Sequence, residues 1–139
     1  MPAAPATAPL LHRSLGIGLV MMAGVMSVLR YRGLAPTLPP ESITSIAYTL
    51  SALCVVLVAV ALLVIKPRVP DRRPQQSVEE YWSTREVGAK AFLVWFLLDG
   101  AGMMAAVGYL LTGQPVTVVA MGLAIVAFWL CGPNMFAKA

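Results

Sequence analysis

The residue with the clearest chemical potential is Asp99, which is the single charge in the stretch Phe92–Tyr109. Extended to residues 91–112, this stretch has about the length that an α-helix needs to cross a hydrocarbon core ~30 Å thick. An ionised carboxylate near the middle of such a span is costly unless it is paired, hydrated or protonated. On a helix, residues three and four positions apart share a face. The stripe that carries Asp99 therefore contains Phe92, Trp95, Gly102, Ala106 and Tyr109.

Three roles are open to this carboxylate. In the first, Asp99 binds an ion or a proton inside the membrane. In the second, it fastens two helices by accepting a hydrogen bond, and the second apolar span offers Tyr48 and Ser51 as donors at a similar depth. In the third, it forms a salt bridge with an arginine of another subunit. The buried acid is the main candidate site under each of these interpretations.

No other set of residues suggests chemistry. The chain has no serine, cysteine or histidine grouping that pairs a nucleophile with a base, so we do not expect an enzyme. One histidine, His12, is too few for a bis-histidine haem or a multi-histidine metal centre, and no metal or cofactor is expected. His12 is expected at the membrane interface, as an anchor or as a ligand to another chain's cofactor. Cys54 and Cys131 lie in or beside apolar runs, which favours packing over a disulfide or a zinc site.

Composition indicates an integral membrane protein. Of the 139 residues, 59% are hydrophobic and 12% are charged, and the mean hydropathy is +0.80. A soluble domain carries about twice that charged fraction. The net charge of +4 does not indicate nucleic-acid binding, because the basic residues flank apolar runs and act as topology signals.

The apolar runs predict an all-α membrane protein. Residues 1–13 form a Pro/Ala-rich N-terminal segment, of which residues 1–9 are expected to be extended or disordered unless a partner holds them. It precedes one transmembrane domain, residues 14–139, that forms two tandem hairpins. The four predicted spans are residues 14–32, 43–65, 91–112 and 116–131.

Local signals refine these boundaries. Ser42 is a good N-cap for the second span. Residues 66–90 form a cytoplasmic, proline-broken linker and the amphipathic start of the third helix, where Ser77 and Glu80 make a capping-box pattern. With only single glycines as breakers, residues 78–112 are predicted to form one continuous helix. Gly113 and Pro115 suit a helix C′ position and the N1 position of the next helix.

Orientation follows from the basic residues. With four spans, the N-terminus, the linker and the C-terminus share one side of the membrane, which places both termini in the cytoplasm because that side is the more basic. Interfacial anchors are expected at Arg30, Arg32, Tyr81 and Trp82. Arg30 and Arg32 lie on the opposite side, against eight basic residues on the cytoplasmic side: Arg13, Lys66, Arg68, Arg72, Arg73, Arg85, Lys90 and Lys138.

Small residues on spans one and three predict close helix packing. They include Gly16, Gly18, Gly24, Gly100, Gly102 and Ala106. There is also an internal repeat, in which residues 23–31 align with residues 101–109, and residues 61–67 with residues 127–133. Such a repeat predicts two halves related by an axis along the membrane normal, with only one copy carrying the acid.

The third span, WFLLDGAGMMAAVGYLLTG, resembles that of small bacterial four-helix membrane proteins of unassigned function, in which the third helix carries an acid, usually a glutamate. More distantly, tandem hairpins with glycines (GIGLVMMAG) and one buried acid are similar to the proteolipid subunits of rotary ATPases. Proteolipids carry the acid on the second helix of a hairpin, whereas Asp99 is on the first. The resemblance implies a multi-pass protein of the bacterial inner (plasma) membrane.

Two functions follow from these observations. The first is a non-catalytic accessory or structural subunit that packs within a larger bacterial membrane complex. Its partners are the lipid bilayer and other membrane subunits, with no nucleic acid. The second is an oligomeric protein that moves ions or protons with Asp99. Small size and the lack of other chemistry favour the first function.

Overall fold

The computed structural model describes residues 7–138, and every regular element in that range is helical. The α-helices are α1 (Thr7–Tyr31), α2 (Pro40–Ala59), α3 (Val78–Ser83), α4 (Arg85–Thr112), α5 (Pro115–Leu130) and α6 (Pro133–Phe136). Helix α2 continues directly into a π-helical segment, Val60–Ile65, and then into a short 3-10 segment, Lys66–Arg68.

Three helical stretches are long and apolar enough to cross a bilayer, namely Thr7–Tyr31, Pro40–Arg68 and Arg85–Thr112. Large apolar side chains also cover the outside of the bundle; Leu63 and Val119, for example, are 75% and 72% exposed. A soluble monomer rarely exposes so continuous an apolar surface. The all-helical character predicted from the sequence is confirmed, and three of the four predicted spans lie in helices long and apolar enough to cross a membrane. Helix α5 has 16 residues, about 24 Å, and is shorter than the other three.

Helix α4 lies at the centre of the fold and packs against α1, α2 and α5. Helices α1 and α4 run in the same direction, because the ring of His12 lies 5.1 Å from that of Trp95, while Arg30 reaches the last carbonyls of α4. Helix α5 runs the opposite way, since Trp95 in the first half of α4 hydrogen-bonds to Cys131 just after α5. Helix α2 runs parallel to α5.

The two predicted hairpins are not equivalent. Helices α4 and α5 form a close antiparallel pair, but within residues 7–138 helices α1 and α2 each pack against α4 rather than extensively against one another. Their connection, residues 32–39, is irregular, and eight residues can span about 26 Å, enough to separate them. The halves therefore lack the two-fold relation that the sequence repeat predicts, although α1 parallels α4 and α2 parallels α5.

Two helix starts differ from the sequence prediction. Helix α1 is described from Thr7 onward, so residues 7–13 of the N-terminal segment are helical; residues 1–6 lie outside the described residues. Helix α2 begins at Pro40, with Pro39 as its N-cap. Proline is tolerated at these positions because the first turn of a helix does not use its backbone N–H groups. The predicted cap, Ser42, therefore lies inside the helix.

After α2, the helical turn becomes wider before the helix ends at a proline. Proline cannot donate the next helical hydrogen bond, and its ring clashes with the carbonyl of the residue four positions earlier. Pro67 lies in the 3-10 segment Lys66–Arg68, which follows the π-helical segment Val60–Ile65, so the regular α-helical hydrogen bonding has already ended before the proline. This segment packs against α4, and it carries the chain into the linker.

The predicted continuous helix over residues 78–112 is wrong at one residue. Thr84 is extended, with φ −72° and ψ 117°, and separates α3 from α4. The hydroxyls of Ser83 and Thr84 both donate to the carbonyl of Glu80, at 2.7 Å and 3.3 Å, which offers the backbone an alternative to the helix. At the other end of α3, Ser77 caps the helix as predicted, accepting from the Glu80 N–H at 3.0 Å.

Gly113 ends α4 in the left-handed conformation, with φ +64°, as the sequence predicts for a C′ glycine. The guanidinium of Arg30 lies over it and donates to the carbonyls of residues 110, 111 and 112 at 3.3 to 3.5 Å. Arg30 is therefore a cap for the carbonyl end of α4, where a cation is favoured. Arg32, the other predicted anchor on this side, is exposed.

We expect Gly113→Ala to lower the free energy of unfolding by about 1–3 kcal/mol, because alanine is strained at positive φ and its Cβ displaces Arg30. That Cβ would lie 2.7 Å from the nearest guanidinium nitrogen of Arg30. Gly33→Ala is the matched control, since Gly33 has φ +70° with nothing within 4 Å. Titration with sodium dodecyl sulfate in mixed micelles measures both. Equal losses would show that the Arg30 contact contributes nothing.

Candidate functional site

Asp99 is the fifteenth of the 28 residues of α4 and lies near the middle of this helix. Its side chain is partly buried, with part of its surface exposed on the outside of the bundle. Within residues 7–138, no group donates a hydrogen bond to its carboxylate and no cation pairs with it. The acid therefore faces outward at mid-depth without a partner from the described chain.

Tyr48 and Ser51, the donors proposed from the sequence, do not reach Asp99. A Cβ at Gly108 would lie 3.4 Å from the Cβ of Leu50, which places Leu50 at the level of residue 108. Because α2 runs antiparallel to α4, Ser51 is about two turns, or about 12 Å along α4, from the level of Asp99. Tyr48 is farther away and 62% exposed. The Ser51 side chain is buried without a hydrogen-bond partner among the described residues.

Trp95, one turn before Asp99, is the centre of a cluster of rings that the sequence analysis did not predict. It is fully buried, and its ring lies 5.1 to 6.2 Å from four other rings, which come from α1, α3, α4 itself and α6. Such separations are favourable for aromatic contacts. We call the whole set the aromatic cluster; it contains His12, Tyr81, Trp82, Phe92, Trp95, Phe128, Trp129 and Phe136.

The aromatic cluster also satisfies the carbonyl end of α5. The last carbonyls of a helix have no partner within it. His12 Nε2 lies 3.1 Å from the Phe128 carbonyl oxygen, and because a carbonyl can only accept, Nε2 is the donor. Trp95 Nε1 donates to the Cys131 carbonyl at 2.7 Å. Side chains from α1 and α4 therefore cap the end of α5 inside the protein.

Three residues that were expected at the membrane interface are buried within the protein. His12 is 4% exposed, and its ring stacks on that of Phe128 with centroids 4.6 Å apart. Tyr81 and Trp82 are also buried against the bundle, so none of the three is a free surface anchor, and their depth in a membrane stays a prediction. The break at Thr84 lets α3 turn its aromatic residues inward, which a continuous helix would not allow.

Tyr81 ties the linker to the bundle. Its hydroxyl donates to the Pro70 carbonyl at 2.8 Å. Burial raises the pKa of Tyr81, and the carboxylate of Asp71 raises it further, so the hydroxyl remains a donor well into alkaline solution. The linker is thereby held beside α3 rather than left as a free loop.

The predicted packing residues divide into two groups. Gly16 and Gly102 lie at close approaches: a Cβ at Gly16 would lie 2.8 Å from Trp129, and one at Gly102 would lie 2.6 Å from Leu19. Ala106 is also fully buried. By contrast, a Cβ at Gly18, Gly24 or Gly100 would meet nothing within 4 Å. These three glycines do not pack within the chain and lie on its outer surface.

We expect His12→Phe to lower the free energy of unfolding by about 1–3 kcal/mol, because it keeps an aromatic ring but leaves the Phe128 carbonyl without its donor. Arg13→Gln is the control, since Arg13 is the exposed neighbour on the same helix. Unfolding in mixed micelles, followed by circular dichroism, gives both values. A loss no larger than that of the control would contradict the capping role.

The described residues contain no group of three or more histidine, cysteine, aspartate or glutamate side chains that would hold a metal ion. Cys54 and Cys131 are buried free thiols, and the Cys54 thiol contacts the Ala120 carbonyl at 3.4 Å. No family model matches the chain, and comparisons with curated proteins and with solved structures also give no match. The site is therefore defined by its own geometry: an outward-facing acid next to a rigid aromatic cluster.

Proposed function

We propose that the protein is a non-catalytic accessory subunit that packs against other proteins within a larger bacterial membrane complex. The observation that carries this proposal is Asp99, which is partly exposed near the middle of α4 and has no donor among residues 7–138. Lipid tails offer no hydrogen bond, so an acid that faces them is costly. A neighbouring subunit that donates to Asp99 removes that cost.

The outer glycines support the same proposal. Gly18, Gly24 and Gly100 have open space where a side chain would begin. Glycine on a transmembrane surface allows another helix to approach closely. Gly100 directly follows Asp99, so a partner helix has access to the acid.

The proposed topology is four spans, with α5 as the fourth, and both termini in the cytoplasm of a bacterial cell. The ends of the helices support it: residues at the start of α1, around the linker and after α5 gather at the aromatic cluster, and eight of the ten basic residues belong to that end. Local thinning of the bilayer accommodates a helix as short as α5. The aromatic cluster then lies on the cytoplasmic side.

This topology predicts the labelling of single cysteines. In a variant without Cys54 and Cys131, we expect Gln75→Cys to react with a membrane-impermeant maleimide only after the cells are permeabilised. Thr37→Cys, in the opposite loop, should react in intact cells; both side chains are exposed. Labelling of position 75 from the outside of intact cells contradicts the proposed orientation.

The alternative function is an oligomer that carries ions or protons on Asp99. It is favoured by the same outward position, because a carboxylate between protomers is accessible to a moving ion. However, every large side chain exposed on α2 and α5 must then fit between protomers, and both surfaces are rich in valine and leucine rather than glycine.

Gentle detergent extraction of the native protein, followed by native mass spectrometry, tests the proposal. We expect the chain to leave the membrane with at least one different protein at a fixed stoichiometry. A sharp mass for a ring of identical copies would favour the alternative. A monomer that carries only lipid would contradict both functions.

A further inference from the structure

Helices α1 and α4 pack side by side, which leaves a groove between them on the outside of the bundle. At its cytoplasmic end is a mostly apolar cavity of about 330 Å³, lined by Thr7, Leu10, Leu11, Ser14 and Phe92. Residues seven positions apart return to the same face of a helix. Gly18 on α1 therefore continues the face of Leu11, and Asp99 on α4 continues the face of Phe92.

The register of the two helices places Asp99 beside this groove. Leu19 packs at Gly102, and α1 and α4 run in the same direction, so Gly18 lies within about one turn of the level of Asp99. Nothing fills the space above Gly18. The groove therefore has an open middle, with a carboxylate on one wall and a glycine on the other. We call it the α1–α4 groove.

The carboxylate of Asp99 indicates which kind of partner helix fits the groove. Asp99 is the only acidic or basic residue between Lys90 and Thr112, and no described cation pairs with it. All ten lysine and arginine residues of the chain belong to the ends of the spans or to the connections. In a ring or dimer about an axis along the membrane normal, a second copy places those cations at the same ends. Such a copy brings no cation to the level of Asp99.

We propose that the α1–α4 groove holds a transmembrane helix of a different protein, and that this helix carries an arginine or lysine at mid-depth that pairs with Asp99. The inference rests on the proposed function and names the chemistry of the partner. A lone cation in the bilayer is as costly as a lone acid. Pairing the two neutralises both, while Gly18 and Gly100 let the helix approach.

Photo-crosslinking in native membranes tests the inference. Benzoylphenylalanine replaces Met103, one turn beyond Asp99, and, as a matched control, Val119 on the outer face of α5. We expect the Met103 probe to capture one other protein with a lysine or arginine inside a transmembrane segment. Because like charges at an interface cost several kcal/mol, Asp99→Lys should reduce that product about tenfold or more. Changing the partner's basic residue to aspartate in the Asp99→Lys background should restore it.

Each other outcome overturns the inference. These outcomes are capture of a second copy alone, capture of a protein with no basic residue inside its transmembrane segments, and a product that is insensitive to charge reversal. Native mass spectrometry separates this failure from that of the proposed function. If a heteromeric complex persists while only the Val119 probe captures its subunit, the accessory role stands and the groove is not the docking site.

Discussion

Asp99→Leu is expected to cost about 3–5 kcal/mol of assembly free energy, because it removes one partner of a desolvated pair and leaves the other without compensation. In the membrane this corresponds to near-complete loss of the protein from its complex. Asp99→Asn keeps an oxygen acceptor of similar shape and should retain much more of the complex than leucine does. The amount of chain that copurifies with the partner subunit, relative to the amount in the membrane, measures both effects.

Val119→Leu is the control for this comparison, since Val119 is exposed to the same apolar surroundings on another face. It should leave copurification unchanged. The alternative function gives the opposite pattern. If Asp99 carries ions, asparagine and leucine should both abolish transport while the protein still assembles, and loss of proton-coupled activity in an assembled Asp99→Asn complex would overturn the accessory role.

The second large effect is expected at Trp95. Trp95→Ala should lower the free energy of unfolding by about 3–5 kcal/mol, because it leaves a cavity at the centre of the aromatic cluster. Trp95→Phe fills most of that space but removes the indole N–H from the Cys131 carbonyl, and should cost about 1–3 kcal/mol. Unfolding in mixed micelles, followed by circular dichroism, gives both values.

Trp129→Phe provides the comparison, because Trp129 is 45% exposed and only partly enclosed by protein. Trp129→Phe should lower the free energy of unfolding by less than Trp95→Phe does. Equal decreases in the free energy of unfolding at the two positions would show that the burial of Trp95 and its hydrogen bond to Cys131 add nothing to stability.

Local chemistry made much of the fold predictable. The apolar runs located the membrane-spanning helices because a span must be long and uncharged. Gly113 and Pro115 located the turn between α4 and α5 because their backbone preferences are intrinsic. The break at Thr84 was missed because serine and threonine are only mildly unfavourable inside a helix. The hydroxyls of Ser83 and Thr84 both donate to the Glu80 carbonyl and so compete with the helical hydrogen bonds of the backbone. A hydrophobic pattern does not reveal this competition.

The sequence was sufficient to identify Asp99 as the candidate site, but not to predict which residues surround it. Asp99 was identified because one charge in an apolar span is conspicuous. Tyr48 and Ser51 were misplaced because the register of α2 against α4 depends on a long irregular connection and on the π-helical segment before Pro67. The aromatic cluster had a usable signal: His12, Trp82 and Trp129 lie close to the ends of their helices, and Trp95 lies in the half of α4 that is nearer the linker. Reading those residues one at a time, as anchors, concealed their proximity.

The two capping side chains of α1 have a consequence for biogenesis. His12 binds a carbonyl 116 residues later in the chain, and Arg30 binds carbonyls 80 to 82 residues later. Helix α1 leaves the ribosome first, yet neither of its ends has a binding site until α4 and α5 have been synthesised. We therefore expect the two capping contacts of α1 to form in sequence, that of Arg30 once α4 has emerged and that of His12 only after α5.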